Sequence, residues 1–477
     1  MSHSIPDALR TAAAKCDCDR DQLLRFSQYL HELEPYQAAR INPFAFASAA
    51  GLNAETTLDL FVHGAKVGLF DLEWGMVCPL CGAITNSVSE LDRVAAEVVH
   101  CSLCQRDVDS TLDDTIEVTF AYAPNGSALD IHRDFVTYQH YFTSSSYPYR
   151  VDWLNYHLRH TVADVKLRAG QTSTLLLSLE AGQTYRVICF DTHSGANLQV
   201  AADSEHSSEP QTVMLTLSPA GFSPPQTKLE SKNPQLTLAN LTDASVWCRV
   251  LRIDMQDVTA IIERGVPEFD QRLTGKHLLN NQAFRENFAL NYLAPDLKLK
   301  LRSLTLLFTD LKGSTALYDR EGDLAAYRLV QDHFVALKEV VREHSGAVIK
   351  TMGDAIMAAF SNGTDGTTAA IAMMEAMKYL PNRRFEGDVG LKVGLHAGPA
   401  LAINAGTNLD YFGQTVNIAA RVQGLADAGD ICLTKAMNSE FGVTDALAQA
   451  GYSGRVEVAK LKGVAEAEQI IRYRSAA

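Results

Sequence analysis

Apolar side chains in the first 75 residues recur three and four positions apart, which is the period of an amphipathic helix. The clearest run follows Asn53, a residue type that caps helices, and it comprises Leu58, Phe61, Val62 and Ala65. A short strand pair at 68–74 completes an order of helix, turn, helix and wing. The pattern therefore predicts a helical, winged-helix-like segment over residues 1–75.

The charge of this segment indicates whether it binds DNA or protein. The predicted recognition helix carries Glu55 and Asp59, and Lys66 is its full positive charge. A helix that reads DNA would carry the opposite balance. The composition favours a module that packs against protein over a module that binds DNA.

Between residues 165 and 254 the period changes to two, which is typical of half-buried strands. The alternating apolar positions are Leu175, Leu177, Leu179, Val213, Leu215, Leu217, Leu236, Leu238, Val246, Cys248 and Val250. Short strands separated by polar turns predict a β-rich, sandwich-like regulatory domain over residues 111–256. His157 and His160 precede these strands, and without a third ligand we expect both imidazoles at the surface.

From residue 301 onward, strands and helices are mixed. A strand at 303–308 is followed by an amphipathic helix with apolar positions at Tyr327, Val330, Phe334, Leu337 and Val341. A hairpin at 347–360, a helix at 367–379, a strand at 389–396 and a helix at 416–425 complete the series. This order predicts an α+β domain over residues 301–477, preceded by a polar linker with one helix at 257–300.

Length and charge limit the classes of function. A chain of 477 residues holds several domains, and a formal net charge of −14 opposes general nucleic-acid binding. No apolar run approaches the roughly 20 residues of a membrane span, and the N-terminus has no apolar signal-peptide core. We therefore expect a soluble, cytoplasmic protein without a nucleic-acid partner or a membrane span.

Four of the nine cysteines form two C-x-x-C pairs. Cys78 and Cys81 are the first pair, Cys101 and Cys104 are the second, and nineteen residues separate the pairs. Two such turns supply the four thiolates of a tetrahedral zinc site, which leaves no open position for water. The spacing predicts a zinc ribbon at 76–110 that holds a structural Zn²⁺.

Two acidic residues follow apolar strands in the C-terminal domain. Asp310, in FTDLKGST, ends a predicted strand before a glycine turn, and Asp354, in KTMGDAIMAAF, stands at the tip of a predicted hairpin. Carboxylates at neighbouring strand ends are what a two-metal site requires. Taken singly, Asp310 is also consistent with a helix cap, and Asp354 with an ordinary Gly-Asp turn.

A further stretch, VNIAAR, places Asn417 and Arg421 four residues apart, so both lie on one face of a predicted helix. An arginine fork donates to several phosphoryl oxygens at once. Taken alone, such a pair is more often a solvated helix face.

In this order and at these separations, FTDLKGST, KTMGDAIMAAF, LDYFG and VNIAAR closely resemble the class III adenylate and guanylate cyclases. The resemblance covers residues 301–473 and includes HAGPA at His396. It implies a ferredoxin-like catalytic domain in which Asp310 and Asp354 hold two Mg²⁺ or Mn²⁺ ions. It also implies active sites formed between two such domains, so that a single domain with every position filled would work as a homodimer.

The resemblance implies roles for the remaining residues. Lys350 and Asp410 resemble the pair that reads the base, and Asn417 resembles the residue that orients the ribose. Arg421 resembles the arginine that stabilises the transition state. Lys462 is assigned to the terminal phosphates.

Base preference follows from the chemistry of the Lys350 and Asp410 pair. Adenine presents an acceptor at N1 and a donor at N6, which match a lysine and an aspartate, whereas guanine presents the reverse. We therefore expect an adenylate cyclase that forms 3′,5′-cyclic AMP and pyrophosphate under the control of the N-terminal half. Gln414, beside the base-reading turn, leaves a cyclase of GTP or a pyrimidine nucleotide open. Lys312, inside the metal loop, is consistent with phosphate binding or with simple exposure.

A different class of function is also consistent with the N-terminal motifs. The chain would then be an inactive zinc-ribbon and winged-helix binding protein whose cyclase-like domain only dimerises. The filled catalytic positions favour the enzyme. The N-terminal half is similar to an uncharacterised module found ahead of some bacterial cyclase domains, and that resemblance identifies no ligand.

Overall fold

The computed structural model of the chain consists of two compact units. Unit 1 comprises Met1–Ser110 and Asp114–Leu273, and unit 2 comprises Thr111–Asp113 and Thr274–Ala477. The structure describes residues 5–475 apart from 17, 79–83, 89–97, 102–105, 110, 114, 124–150, 190, 206–210, 265–271, 289–298, 315–318, 320–321, 381–389, 406–407 and 465. None of the helices within that coverage combines the length and the apolar composition that a membrane crossing requires.

Unit 1 begins with helices. They are α1 (Asp7–Ala13), α2 (Arg20–Glu32), α3 (Pro35–Ala38), α4 (Pro43–Ala50) and α5 (Ala54–Lys66). Helix α5 confirms the predicted start, because the Asn53 side chain accepts a hydrogen bond from the Thr56 N–H. Its apolar face is buried in an aromatic core, where Phe61 contacts the rings of Phe26 and Phe70.

A small sheet follows these helices. Strands β1 (Phe70–Val77), β2 (Ile84–Val88) and β5 (Ile116–Tyr122) form it in the order β2-β1-β5, and β3 (Val98–Cys101) pairs with β4 (Arg106–Asp109). Since β1 pairs with β5 as well as with its neighbour β2, the sheet is larger than a two-stranded wing. The winged-helix comparison therefore stays a prediction.

The rest of unit 1 contains the sandwich-like domain that the period of two predicts. Its elements are α6 (Val151–His160), β6 (Thr161–Leu167), β7 (Thr172–Leu176), β8 (Thr184–Cys189), β9 (Ser194–Glu205), β10 (Thr212–Ser218), β11 (Gly221–Ser223), β12 (Gln226–Ser231), β13 (Gln235–Asn240), β14 (Val246–Arg252) and α7 (Met255–Glu263). The sheets have the orders β12-β9-β8-β14-β6 and β11-β10-β13-β7. They share one core, in which Val187 and Val250 of the first sheet lie with Leu215 and Leu238 of the second.

The expectation that His157 and His160 lie at the surface is wrong. Both imidazoles are buried, and burial lowers the pKa of His157 to about 3. His160 Nε2 lies 2.9 Å from Asp257 Oδ2, and Arg252 Nη2 lies 3.3 Å from His160 Nδ1. Helical spacing shows that two residues share a face, but only the packing of α6 decides that this face is buried.

Unit 2 is a mixed sheet covered by helices, as the predicted α+β order requires. Its elements are α8 (Gly275–Leu279), α9 (Gln282–Asn287), β15 (Leu299–Lys312), α10 (Asp323–Glu343), β16 (Gly346–Met352), β17 (Ala355–Phe360), α11 (Gly363–Ala376), β18 (Gly390–Ala405), β19 (Asn408–Phe412), α12 (Gln414–Leu425), β20 (Ile431–Thr434), α13 (Lys435–Asn438), α14 (Val443–Gln449), β21 (Tyr452–Ala459) and β22 (Glu468–Ser475). The sheet order is β16-β17-β15-β18-β20-β22-β21, with β19 beside β18. The predicted hairpin at 347–360 is confirmed as β16 and β17.

Helix α12 lies unusually close to strand β18. A Cβ atom at Gly394 would stand 2.2 Å from the backbone nitrogen of Gln423, so this approach requires glycine. On the other face of α12, Asn417 is exposed. The close contact therefore fixes the position of the helix that carries Asn417 and Arg421.

A buried ion-pair network ties the C-terminal strands together, and we predict a stability effect for its carboxylate. The Asp430 side chain is 1% exposed and accepts hydrogen bonds from Arg472 and Arg474. Burial alone would raise the pKa of Asp430, but the two arginines outweigh it and hold that pKa below its ordinary value. Asp430→Asn should lower the free energy of unfolding at pH 7 by about 3 kcal/mol, because the largely buried Arg472 loses one of its counter-charges and the exposed Arg474 loses a partner.

The pH dependence of this effect has a defined sign. A carboxylate with a lowered pKa contributes its stability above about pH 4, and the contribution disappears as the pH falls further. Urea unfolding of wild type and Asp430→Asn should therefore differ at pH 7 and converge in acid. The exposed pair of Glu339 with Arg342 provides the control, and Glu339→Gln should cost less than about 1 kcal/mol. Equal losses in the two variants would contradict the prediction.

Candidate active site

Asp310 and Asp354 lie at the same end of two neighbouring strands of the unit 2 sheet. Strand β15 pairs with β17 in an antiparallel register that sets Phe308 opposite Met357. The Ile356 N–H also donates to Thr309 Oγ1 over 3.1 Å. Continuing this register sets Asp310 opposite Ala355, the residue after Asp354, so the two carboxylates lie near the same end of neighbouring strands. Strand β15 continues to Lys312, so the prediction that Asp310 ends its strand is wrong by two residues.

The Asp354 side chain has an unsatisfied oxygen. Gly353, with φ 63°, forms the turn before it, a conformation that glycine adopts without strain. Asp354 Oδ2 is buried and accepts no hydrogen bond from the part of the chain that the structure describes. A buried carboxylate oxygen without a donor is costly, and a divalent cation would satisfy it. The donor set therefore fits Mg²⁺ or Mn²⁺, which prefer oxygen ligands.

His333, on α10, is a neighbour of Asp354 that the sequence did not single out. Its imidazole is fully buried, and burial lowers its pKa to about 4 against the opposing attraction of Asp354. The imidazole is therefore neutral at pH 7 and does not compensate the Asp354 charge. A histidine inside a helical pattern carries no signal that would reveal this proximity.

Two lysines near the metal loop have different partners. Lys392 lies opposite Asp310 on β18 and forms an ion pair with it, and their side chains are 18% and 31% exposed. Lys312 instead pairs with Asp427 over 3.1 Å at the surface. The sequence singles out Lys312 but not Lys392, because only the register of β15 with β18 shows which lysine meets the carboxylate.

The two predicted base-reading residues contact each other. Lys350, on β16, places its Nζ 2.6 Å from Oδ2 of Asp410, on β19. Their side chains are 39% and 20% exposed, so the pair is partly open to solvent. Residues sixty positions apart in the chain are thus brought together, as the assignment to a common base requires.

The remaining predicted residues lie on or beside α12. Asn417 is exposed and Arg421 is half-buried, one helical turn apart. A Cβ atom at Gly463 would stand 3.3 Å from Arg421 Nη1, so the loop after β21 lies against the guanidinium. Lys462, the residue before Gly463, is exposed in that loop.

The predicted zinc ribbon is described only in part. Cys78, just after β1, and Cys101, in β3, are buried. Cys81 and Cys104 lie outside the described residues. The zinc site therefore stays a prediction.

Among the described residues, one further group offers several metal ligands. The ligand atoms of His160, Asp254 and Asp257 lie within 4.8 Å of one another. Arg159 lies 3.1 Å from Asp257, and Arg252 lies 3.9 Å from Asp254. Because two arginines balance the two carboxylates, this group is a salt-bridge network rather than a metal centre.

Comparison with known proteins divides the chain into two parts. Residues 6–286 match the profile of a family of unknown function, DUF5939. Residues 298–467 match the profile of the adenylate and guanylate cyclase catalytic domain.

Characterised relatives match the C-terminal part. The adenylate cyclase of Lachancea kluyveri is 30% identical over 189 residues, which are 35% of this chain and 10% of that protein. The adenylate cyclase of Anabaena cylindrica is 31% identical over 137 residues, 26% of this chain and 27% of that protein. Guanylate cyclase 2G of Mus musculus is 28% identical over 137 residues, 25% of this chain and 12% of that protein. The chain thus spans between 10% and 27% of the length of these relatives.

Solved structures match part of the chain. The adenylyl cyclase CyaB of P. aeruginosa is 20% identical, with a TM-score of 0.33, and the match covers 38% of this chain and 97% of that chain.

Proposed function

Because the chain belongs to the family of unknown function DUF5939 through residues 6–286 and carries an adenylate and guanylate cyclase catalytic domain at residues 298–467, we propose that it converts ATP to 3′,5′-cyclic AMP and pyrophosphate. The observation that carries the proposal is the pair of carboxylates at adjoining strand ends. Asp354 Oδ2, buried without a hydrogen-bond donor among the described residues, is the ligand atom that most needs a cation.

The proposed reaction is an in-line displacement at the α-phosphorus. The ribose 3′-oxygen forms a bond to phosphorus, loses its proton, and pyrophosphate departs with the electron pair of the broken P–O bond. Divalent ions held by Asp310 and Asp354 would supply charge neutralisation and a lowered pKa of the 3′-hydroxyl. Arg421 would donate to the α-phosphate oxygens as negative charge builds there, and Asn417 would orient the ribose.

The terminal phosphates of the nucleotide require cations other than Arg421, and we propose two lysines for this role. Lys462 lies in the loop that packs on Arg421. Lys392, now paired with Asp310, stands beside the metal carboxylate and is a second cation for the polyphosphate. We propose that nucleotide binding exchanges the Lys392 to Asp310 ion pair for contacts with phosphate.

Base recognition is proposed for the Lys350 and Asp410 pair. Without nucleotide, the two side chains neutralise each other at 2.6 Å. An adenine between them would accept a hydrogen bond from Lys350 at N1 and donate one to Asp410 from N6. A guanine would present its O6 acceptor to Asp410 and leave that carboxylate without a donor, which is costly in a partly buried site.

We propose a homodimer as the working form. In each site, one subunit would supply Asp310 and Asp354, with Lys392 beside them, and its partner would supply Lys350, Asp410, Asn417 and Arg421. The N-terminal half, with its proposed structural zinc, is proposed to regulate this assembly.

The proposed activity is tested with the purified full chain, Mn²⁺ and each of the four ribonucleoside triphosphates. Cyclic AMP should form from ATP, with a kcat/KM at least about tenfold above that for GTP, since a mispaired buried carboxylate costs that much or more. Liquid chromatography with mass spectrometry identifies the product. A dominant cyclic GMP or cyclic pyrimidine product would show that the substrate is GTP or a pyrimidine nucleotide and not ATP. No product from any nucleotide would favour the inactive binding protein.

A further inference from the structure

A short helical segment before the catalytic strands contacts the two strands that carry the base-reading residues. It comprises α8 and α9, which are capped by the side chains of Thr274 and Asn281. The segment lies in the predicted linker at 257–300, yet it belongs to unit 2 and not to the compact body of unit 1. We call residues 274–288 the clamp segment.

Arg285 of the clamp segment holds the strand that carries Asp410. Its Nη2 donates to the Leu409 carbonyl over 2.5 Å, and its Nη1 donates to the Leu279 carbonyl over 2.9 Å. The guanidinium also lies over the Tyr411 ring, 5.8 Å from the centroid. The residues immediately before and after Asp410 are therefore both in contact with one charged side chain.

A second contact fixes the same strand. The Tyr411 hydroxyl donates to Asn280 Oδ1 over 2.7 Å, and Asn280 is fully buried. Burial raises the pKa of Tyr411 to about 12, so the hydroxyl stays protonated and continues to donate at neutral pH. The strand is thus held through its backbone and through a side chain.

A third contact reaches the strand that carries Lys350. The register of β16 with β17 shifts between Val348 and Lys350, which is a bulge that redirects the side chains beyond it. The Val348 N–H donates to Gln282 Oε1 over 2.9 Å. The clamp segment therefore holds both strands of the base-reading pair, one through Arg285 and one through Gln282.

We propose that Arg285 is a positioning residue that selects the nucleotide base by fixing Asp410 relative to Lys350. The inference rests on the proposed function, since it assigns base reading to that pair. One base can bond to both side chains only if the distance between the lysine and the aspartate is fixed. The contacts of Arg285 would fix that distance by holding the strand that carries Asp410. The match to the family of unknown function ends within the clamp segment, at residue 286.

The test compares Arg285→Ala with Arg472→Ala in the full chain. Arg472 is a matched control, because it is a partly buried arginine of the same unit that binds Asp430 and Glu457 and, among the described residues, forms no hydrogen bond or ion pair with β16 or β19. Arg285→Ala should raise the KM for ATP about tenfold and lower the ATP to GTP ratio of kcat/KM about tenfold, with kcat changed less than about threefold. Arg472→Ala should lower the melting temperature without moving that ratio.

A second variant and a binding readout keep the inference testable if Arg285→Ala folds poorly. Gln282→Leu removes the acceptor of the Val348 N–H and should shift the ratio in the same direction. Equilibrium binding of 3′-deoxy-ATP and 3′-deoxy-GTP, which lack the attacking hydroxyl, should show the same loss of preference. An unchanged KM and ratio in Arg285→Ala, or an equal shift in Arg472→Ala, would overturn the inference. A wild type that binds but cyclises nothing would refute the proposed function instead, and the binding ratios would still decide the role of Arg285.

Discussion

Asp354→Asn should lower the rate of cyclic AMP formation by at least about 1,000-fold and leave the melting temperature unchanged or slightly raised. The direction of the stability effect follows from the unsatisfied Asp354 Oδ2, because removing an unpaired buried charge does not cost a hydrogen bond. A residue with a purely structural role would lose stability and activity together. Product formation by mass spectrometry and unfolding by differential scanning fluorimetry separate the two cases.

The matched control for this substitution is Asp445→Asn. Asp445 is an exposed aspartate in the first turn of α14, outside the candidate site. Its replacement should change the rate less than about twofold, as ordinary surface substitutions do. Substantial turnover by Asp354→Asn would remove this residue from the metal site and weaken the whole proposal.

Mixing Asp354→Asn with Arg421→Ala should restore about a quarter of the wild-type activity, although each variant alone is inactive. The reason is the proposed division of each site between two subunits of a symmetric dimer. Random exchange makes half of the dimers mixed, and each mixed dimer has one site with all its residues intact. Activity is measured after exchange, with two affinity tags to show that mixed dimers have formed.

The control mixture is Asp354→Asn with Asp310→Asn. Both substitutions fall in the half-site that one subunit supplies, so every site in a mixed dimer lacks one carboxylate. This mixture should stay inactive. Recovery in the control, or none in the test mixture despite proven exchange, would contradict shared sites.

The sequence predicts the type of many helices and strands in both units, but it predicts their lengths less well. Alternation found the strands of the sandwich and helical spacing found α5 and α10, because these patterns state which positions face a core. The same patterns did not reveal that β18 extends to Ala405, where it pairs with β15 on one side and with β19 on the other. Strand length depends on the partners available, which a local pattern does not contain.

In the candidate site, too, the sequence reveals some residues and not others. The residue types of Asp310, Asp354 and Arg421 state the chemistry that is available, but taken singly these residues also fit a helix cap, a Gly-Asp turn and a solvated helix face. Their order and separation also identified the family. Lys392 and Arg285 carry no such mark, because nothing local distinguishes them from any other cation on a strand or a helix.

The order of residues along the chain was therefore enough to identify the metal-binding carboxylates, the base-reading pair and the helix that holds Asn417 and Arg421 as candidates. Which groups meet became visible in the folded chain: Lys350 with Asp410, Lys392 with Asp310, and Arg285 with the Leu409 carbonyl. The physical reason is that these contacts join residues 60 to 124 positions apart, and strand register and helix packing create such proximity where chain distance does not.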